Sequence, residues 1–99
     1  MAATTLTITG TFEDPDTTTP VGSVTFVPNT TGPHWVNGGV VVPNAPKVIP
    51  LAAGALPGGF AVVRCPGGYM VTENVPSLGL YGTYLIPDQA GPVDLSSFH

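Results

Sequence analysis

The chain has 99 residues and a net charge of −4, and only 8% of its residues are charged, compared with about 25% in ordinary soluble domains. Lys47 and Arg64 are the only basic side chains, too few to neutralise a row of phosphates, which excludes binding to nucleic acid and to an anionic membrane surface. The length fits one domain spanning residues 1–99, and the 42% share of hydrophobic residues favours a folded chain despite 13 glycines and 12 prolines.

The first residues, Met1–Thr5, contain neither a basic segment nor an apolar one, so they do not resemble a secretion signal. No stretch of the sequence approaches the ~18 consecutive apolar residues of a membrane-spanning helix. We therefore expect the chain to be made and kept in a cytoplasm unless another component exports or packages it.

The first predicted strand is Thr4–Phe12, in which apolar residues and threonines alternate as in a half-buried strand. The polar segment 13–20 contains prolines and Asx residues and predicts a turn. A second strand, Ser23–Pro28, is expected to point Val24 and Phe26 inward and to end at its proline. These two strands are predicted to form a hairpin-like pair.

The middle of the chain predicts loop and short strands. Residues 29–39 are predicted to be a loop, and 40–42 and 47–51 are candidate strands. Pro43, Pro46 and Pro50 interrupt this region, and proline is tolerated in sheets chiefly at edges, so edge strands and extended coil are expected here.

A Pro-Gly-Gly turn at residues 66–68 separates two further strand candidates, Phe60–Cys65 and Tyr69–Val75. The second of these alternates strictly, so Tyr69, Val71 and Glu73 share one face. A tight turn between two strands predicts a hairpin.

The last part of the chain predicts a loop at 77–82, a strand at Tyr84–Ile86 and a final short strand at Val93–Leu95. No segment has a helical period, and about seven short strands lie some ten residues apart, which predicts an all-β fold, an antiparallel β-sandwich. Its expected buried residues are Val24, Phe26, Phe60, Val62, Val71 and Leu85.

No pattern indicates catalysis, a cofactor or a metal site. Glu13, Asp14 and Asp16 lack the spacing of a calcium loop and predict a solvated turn. His34 has no second ligand at metal spacing and is expected in a loop, while His99 is expected to fray. Cys65 is the single cysteine, so no disulfide forms within the chain, and it is expected in the core at a strand end. The chain is therefore predicted not to be an enzyme.

Four aromatic residues leave two interpretations open. They can belong to the core, as aromatic residues of small β-sandwiches mostly do, or they can line a carbohydrate-binding face. The four are Trp35, Tyr69, Tyr81 and Tyr84.

Four segments, in this order, resemble the small immunoglobulin-like or transthyretin-like domains of virion proteins in tailed bacteriophages of actinobacteria. In those domains a strand ending in glycine leads to an Asp-Pro turn, a Gly-x-Val-x-Phe-x-Pro strand follows, and a Tyr-x-Val-x-Glu strand lies near the carboxy end. The corresponding segments here are Leu6–Asp16, Pro20–Pro28, Tyr69–Asn74 and Gly91–Ser97.

The resemblance implies a non-enzymatic structural accessory protein of a phage particle. A separate single-domain chain favours a capsid decoration protein, docked on the lattice of the major capsid protein, over a minor tail protein. Two alternatives stay open: a module that binds a glycan on a host surface, and an Ig-like interaction domain of a bacterium without a phage connection. A homo-oligomer is compatible with each of them.

The expected docking surface follows from the strand edges. Natural sheets protect their edges with lysine, proline or bulges. The terminal strands Thr4–Phe12 and Val93–Leu95 contain no internal lysine or proline. One of them is therefore expected to lie against a neighbouring copy or the capsid protein, by edge pairing or close packing. The candidate partner-binding residues are Thr5, Thr7, Thr9, Val93, Leu95 and Trp35.

Overall fold

The computed structural model describes residues 4–99. This part of the chain contains nine strands and two short 3-10 helices, Pro76–Leu78 and Leu95–Phe98. The strands are β1 (Thr5–Thr9), β2 (Ser23–Pro28), β3 (His34–Asn37), β4 (Val40–Pro43), β5 (Lys47–Pro50), β6 (Ala61–Val63), β7 (Tyr69–Asn74), β8 (Thr83–Ile86) and β9 (Val93–Asp94).

The strands form two sheets around one core, and the predicted all-β sandwich is confirmed. One sheet has the order β6-β1-β9, and the other has the order β5-β2-β7-β8. A separate two-stranded sheet consists of β3 and β4. All pairs are antiparallel except β1 and β9, which run parallel. Of these strands, β3 was not predicted from the sequence, whereas β9 corresponds to the predicted short strand at Val93–Leu95.

The inward faces of the strands make the core. Val24, Phe26 and Val71 are fully buried, as predicted, whereas Phe60 and Val62 are only partly buried at its margin. The prediction for Leu85 is wrong, because Leu85 is 41% exposed and its neighbour Ile86 is 1% exposed. Since successive side chains of a strand point to opposite faces, burying Ile86 requires Leu85 to face outward.

Both predicted hairpins are wrong. β6 pairs with β1 and β7 pairs with β2 and β8, so the Pro66–Gly68 turn carries the chain from one sheet to the other. Segment 13–20 likewise connects β1 and β2, which lie in opposite sheets. Turn residues reverse the chain direction, but they do not specify whether the two strands bond to each other or pack face to face across a core.

The predicted loop at 29–39 is wrong over its second half, where β3 forms a hairpin with β4. Asn37 pairs with Val40 across the two-residue turn Gly38–Gly39, a sequence typical of tight hairpins. Trp35 is buried, whereas Val36 and its cross-strand neighbour Val41 are each more than half exposed. This small sheet is therefore attached to the body through one side and exposes valines on the other.

Candidate functional site

The six residues expected to contact a partner fall into two groups. Thr5, Thr7 and Thr9 are exposed on the outer side of β1, and we call them the threonine face. Val93 and Leu95 are buried in the core at 6% and 1% exposure, so the single chain does not present their side chains to a partner. The physical reason is that Val93 is the inward residue of β9, and the chain then turns into the 3-10 helix that begins with Leu95.

Trp35 is also buried, so the single chain does not present its ring to a partner. Its indole Nε1–H donates a hydrogen bond to the Arg64 carbonyl oxygen at 2.9 Å, and its ring meets that of Tyr69 edge to face, with centroids 6.3 Å apart. A buried tryptophan needs a partner for its N–H, and this contact supplies one. Trp35 therefore anchors the β3–β4 hairpin to the body of the domain.

Little of the β1 backbone is left for edge pairing, because β1 is the middle strand of its sheet. Residues 5–7 pair with β6, and Ile8 and Thr9 pair with β9. Thr9 in addition donates a hydrogen bond from its hydroxyl to the Asp94 carboxylate at 2.9 Å. The threonine face thus offers a partner mainly side chains rather than a strand edge.

The opposite side of the sandwich has an uncharged surface built from four strands, which sequence reasoning missed. The outward side chains of the four-stranded sheet form rows across the strands, and none of them is charged. Val48 and Leu85, 60% and 41% exposed, lie at its two lateral margins. We call this surface the outer sheet face; its residues are Ser23, Thr25, Val27, Val48, Met70, Thr72, Asn74, Thr83 and Leu85.

The two edges of the four-stranded sheet differ in their protection. The Leu51 N–H bonds to the Gly22 carbonyl, which fixes the alternation along β5 so that Val48 and the prolines at 46 and 50 direct their backbone groups away from β2. Since proline has no N–H, this edge offers a partner strand one donor, from Val48. The β5 edge is therefore protected by Pro46 and Pro50.

The β8 edge has no such protection. The Glu73 N–H bonds to the Gly82 carbonyl at 3.0 Å, so Gly82, Tyr84 and Ile86 direct their backbone groups to β7. Thr83 and Leu85 consequently direct an N–H and a C=O each away from the sheet. Neither lysine nor proline occurs within β8, so this edge is open to a further strand.

A buried carboxylate lies where the chain end meets the same sheet. Glu73 is 1% exposed, and its Oε2 accepts a hydrogen bond from the Tyr84 hydroxyl at 2.7 Å and lies 2.7 Å from His99 Nε2. The Phe98 ring stacks on that of Tyr84. Burial, followed by the Glu73 hydrogen bond, raises the pKa of Tyr84 above its usual range. The expectation that His99 frays is therefore wrong, because its ring is held by Glu73.

The Tyr84 hydroxyl is expected to contribute measurably to stability. Tyr84→Phe should lower the free energy of unfolding by about 1–3 kcal/mol, because the buried carboxylate loses one of its two side-chain partners. Urea denaturation of the variant and of Tyr81→Phe, at a 62% exposed position, provides the comparison. The exposed change should stay within about 0.5 kcal/mol, and equal effects of the two variants would contradict a stabilising role.

The aromatic residues considered for a sugar platform are mostly internal. Trp35 and Tyr69 are both buried at 7% exposure, and Tyr84 is partly buried under Phe98. The Tyr69 hydroxyl donates to the Val63 carbonyl at 2.6 Å, and burial raises the pKa of Tyr69 to about 12. Of the four, Tyr81 alone exposes most of its surface, so the core interpretation fits the other three.

The remaining polar groups form local contacts. Asp16 accepts hydrogen bonds from the N–H and the hydroxyl of Thr18, which lower the pKa of its carboxyl group and hold the turn. Cys65 is buried, as predicted, and lies two residues after the end of β6. Within residues 4–99, no three histidine, cysteine, aspartate or glutamate side chains converge as metal ligands. In the same range no helix has the length and apolar character needed to cross a membrane.

The outer sheet face and the β8 edge are thus the two candidate surfaces for contact with a partner. Comparison with protein-family models, with curated proteins and with solved structures finds no match for this chain.

Proposed function

We propose that the chain is a non-enzymatic structural accessory protein of a tailed-phage particle, a capsid decoration protein that docks on the lattice of the major capsid protein. The observation that carries the proposal is the absence of charged side chains from the outer sheet face. The resemblance of four segments to phage virion domains supports the choice of partner.

The composition of this face suits a protein interface. Charged residues are depleted at the centres of interfaces, where they would lose their hydration. Val27 and Met70 lie side by side at the centre of the face, and threonines at positions 25, 72 and 83 form a row beside them. Neighbouring strands are about 4.8 Å apart, so the four strands give a surface about 15–20 Å across. Each docked copy of the chain would cover a patch of this width on the repeating shell.

The charges of the chain lie outside this face. The acidic side chains of 13, 14 and 16 are in the turn after β1, and Glu73 points into the core. Arg64 forms an ion pair with Asp88 at 2.9 Å. The outer sheet face can therefore be covered by a partner without removing a charge from water, which avoids the largest desolvation cost of association.

Paired lysine substitutions test which side of the sandwich docks. Ser23→Lys/Thr25→Lys places two charges on the outer sheet face, and Thr5→Lys/Thr7→Lys places the same two charges at matching positions of the threonine face. The first variant should bind purified, undecorated shells at least about tenfold more weakly than wild type, since burying a charge costs more than about 1.4 kcal/mol. The second should bind like wild type in cosedimentation.

Other outcomes have defined meanings. Loss of binding only in the threonine-face variant would show that the threonine face, and not the outer sheet face, docks on the shell. If the wild-type chain binds purified tails and not shells, it is a minor tail protein and not a capsid decoration protein. If the wild-type chain binds neither particle but binds a glycan on an array, the proposal is wrong.

A further inference from the structure

We propose that two copies of this chain associate through β8, in an antiparallel pair around a twofold axis at Tyr84, so that two four-stranded sheets become one eight-stranded sheet. The occupant of the β8 edge is thus a second copy of the chain. This inference rests on the strand edge itself and does not depend on docking to a capsid.

The edges of the two large sheets differ in their protection. β5 is protected by Pro46 and Pro50, and β9 has only two residues before the chain turns away. On β6, the outward carbonyl of Val63 already accepts the Tyr69 hydroxyl. β8 is four residues long, and the outward N–H and C=O groups of its residues 83 and 85 have no backbone partner within the described part of the chain.

The β8 edge is complementary to itself. Its outward residues, Thr83 and Leu85, lie symmetrically on either side of Tyr84. A twofold axis at Tyr84 therefore places Thr83 opposite Leu85 of the second copy, and the reverse. In an antiparallel ladder such opposed residues exchange both hydrogen bonds, so the two copies form four of them. Pro87 lacks an N–H and ends the ladder on each side.

The side chains of β8 also favour contact between two copies. β8 has no charged residue, whereas each copy carries a net charge of −4. The uncharged edge is thus a place where two like-charged copies can come into contact without direct repulsion. Leu85, 41% exposed in the single chain, gains cover from Thr83 of the second copy. The paired outer sheet faces join into one uncharged surface of twice the width.

The β3 edge of the small hairpin is the competing place for such pairing. By the alternation of the β3–β4 ladder, His34 and Val36 direct their backbone groups outward. This edge belongs to a two-stranded sheet, which is a less stable template than a four-stranded sheet packed on a core. Val36→Lys is therefore included among the test variants.

Sedimentation of the purified full chain over a range of concentrations tests the proposal. Wild type should show a monomer–dimer equilibrium, and Leu85→Lys should raise the dimer dissociation constant at least about tenfold. Val48→Lys makes the same charge change on the same face at the protected edge and should leave the constant unchanged, as should Val36→Lys. Thr83→Pro removes an outward N–H and the exposed hydroxyl contact with Thr72 but no backbone hydrogen bond to β7, and it should act like Leu85→Lys.

Amide hydrogen exchange gives a direct readout of the pairing. The Thr83 and Leu85 amides should become protected as the protein concentration rises, whereas the Tyr84 amide, bonded to β7, should be protected at every concentration. A wild-type chain that stays monomeric at millimolar concentration would overturn the proposal. So would a dimer that dissociates with Val48→Lys or Val36→Lys as readily as with Leu85→Lys.

Discussion

Phe26→Ala is expected to lower the free energy of unfolding by about 3–5 kcal/mol, the usual cost of removing a buried aromatic ring. Phe26 is fully buried in the middle of β2, and its ring centroid lies 5.1 Å from that of Phe60. The surrounding strands are paired on both sides and cannot collapse into the space. Because small domains have total stabilities of about 5–15 kcal/mol, urea denaturation should show a large shift of the midpoint.

Leu85→Ala is the matched control for this change, measured in dilute solution. The amino-acid sequence predicts that both residues are buried, but Leu85 faces outward on β8. Its truncation should cost less than about 1 kcal/mol, since little apolar area returns to water. A loss as large as that of Phe26→Ala would contradict the orientation of β8.

Gly68→Ala is expected to lower the free energy of unfolding by at least about 3 kcal/mol, although it adds only one methyl group. Gly68 has a φ of +76°, and a Cβ added there would overlap the carbonyl oxygen of Ile86. That carbonyl belongs to β8 in the packed sheet, so relief requires the β7–β8 pair to move. Thermal unfolding should show the loss, or the variant should fail to accumulate as folded protein.

The chain contains a control with the same local sequence. Gly59 ends a second Pro-Gly-Gly segment and has a φ of +74°, but an added Cβ there meets nothing within 4 Å. Gly59→Ala should therefore cost only the strain of a left-handed alanine, about 1–2 kcal/mol. Equal losses at the two positions would show that the backbone conformation alone, and not the contact with Ile86, sets the effect.

The two Pro-Gly-Gly segments also show what local sequence can predict. Alternation identified the strands and their inward faces, because the side-chain period of a strand is a property of the strand itself. Strand pairing depends on which partner lies alongside, and nothing within Pro66–Gly68 encodes that the chain passes there from one sheet to the other. The hairpin prediction failed for this reason.

The same distinction explains the candidate surfaces. The exposure of Thr5, Thr7 and Thr9 could be predicted from their own strand. The outer sheet face could not, because its rows combine residues from four strands whose order was unknown. The Glu73 contact with His99 was hidden for a similar reason: alternation placed Glu73 on the inner face, but no local pattern links it to a residue at the far end of the chain.

The parallel pairing of β1 with β9 has a consequence for how the protein is made. Ile8 cannot pair with its neighbour Val93 until residue 93 has left the ribosome, at a synthesis rate of about 5–20 residues per second. Leu95, which fills the space beside Gly10, arrives later still. Pairing between such distant segments requires a large loop to close, with loss of chain entropy, before the contact stabilises the chain. This requirement slows folding. The domain therefore cannot complete its folding before residues 93–95 have left the ribosome, and its apolar strands need protection from aggregation until then.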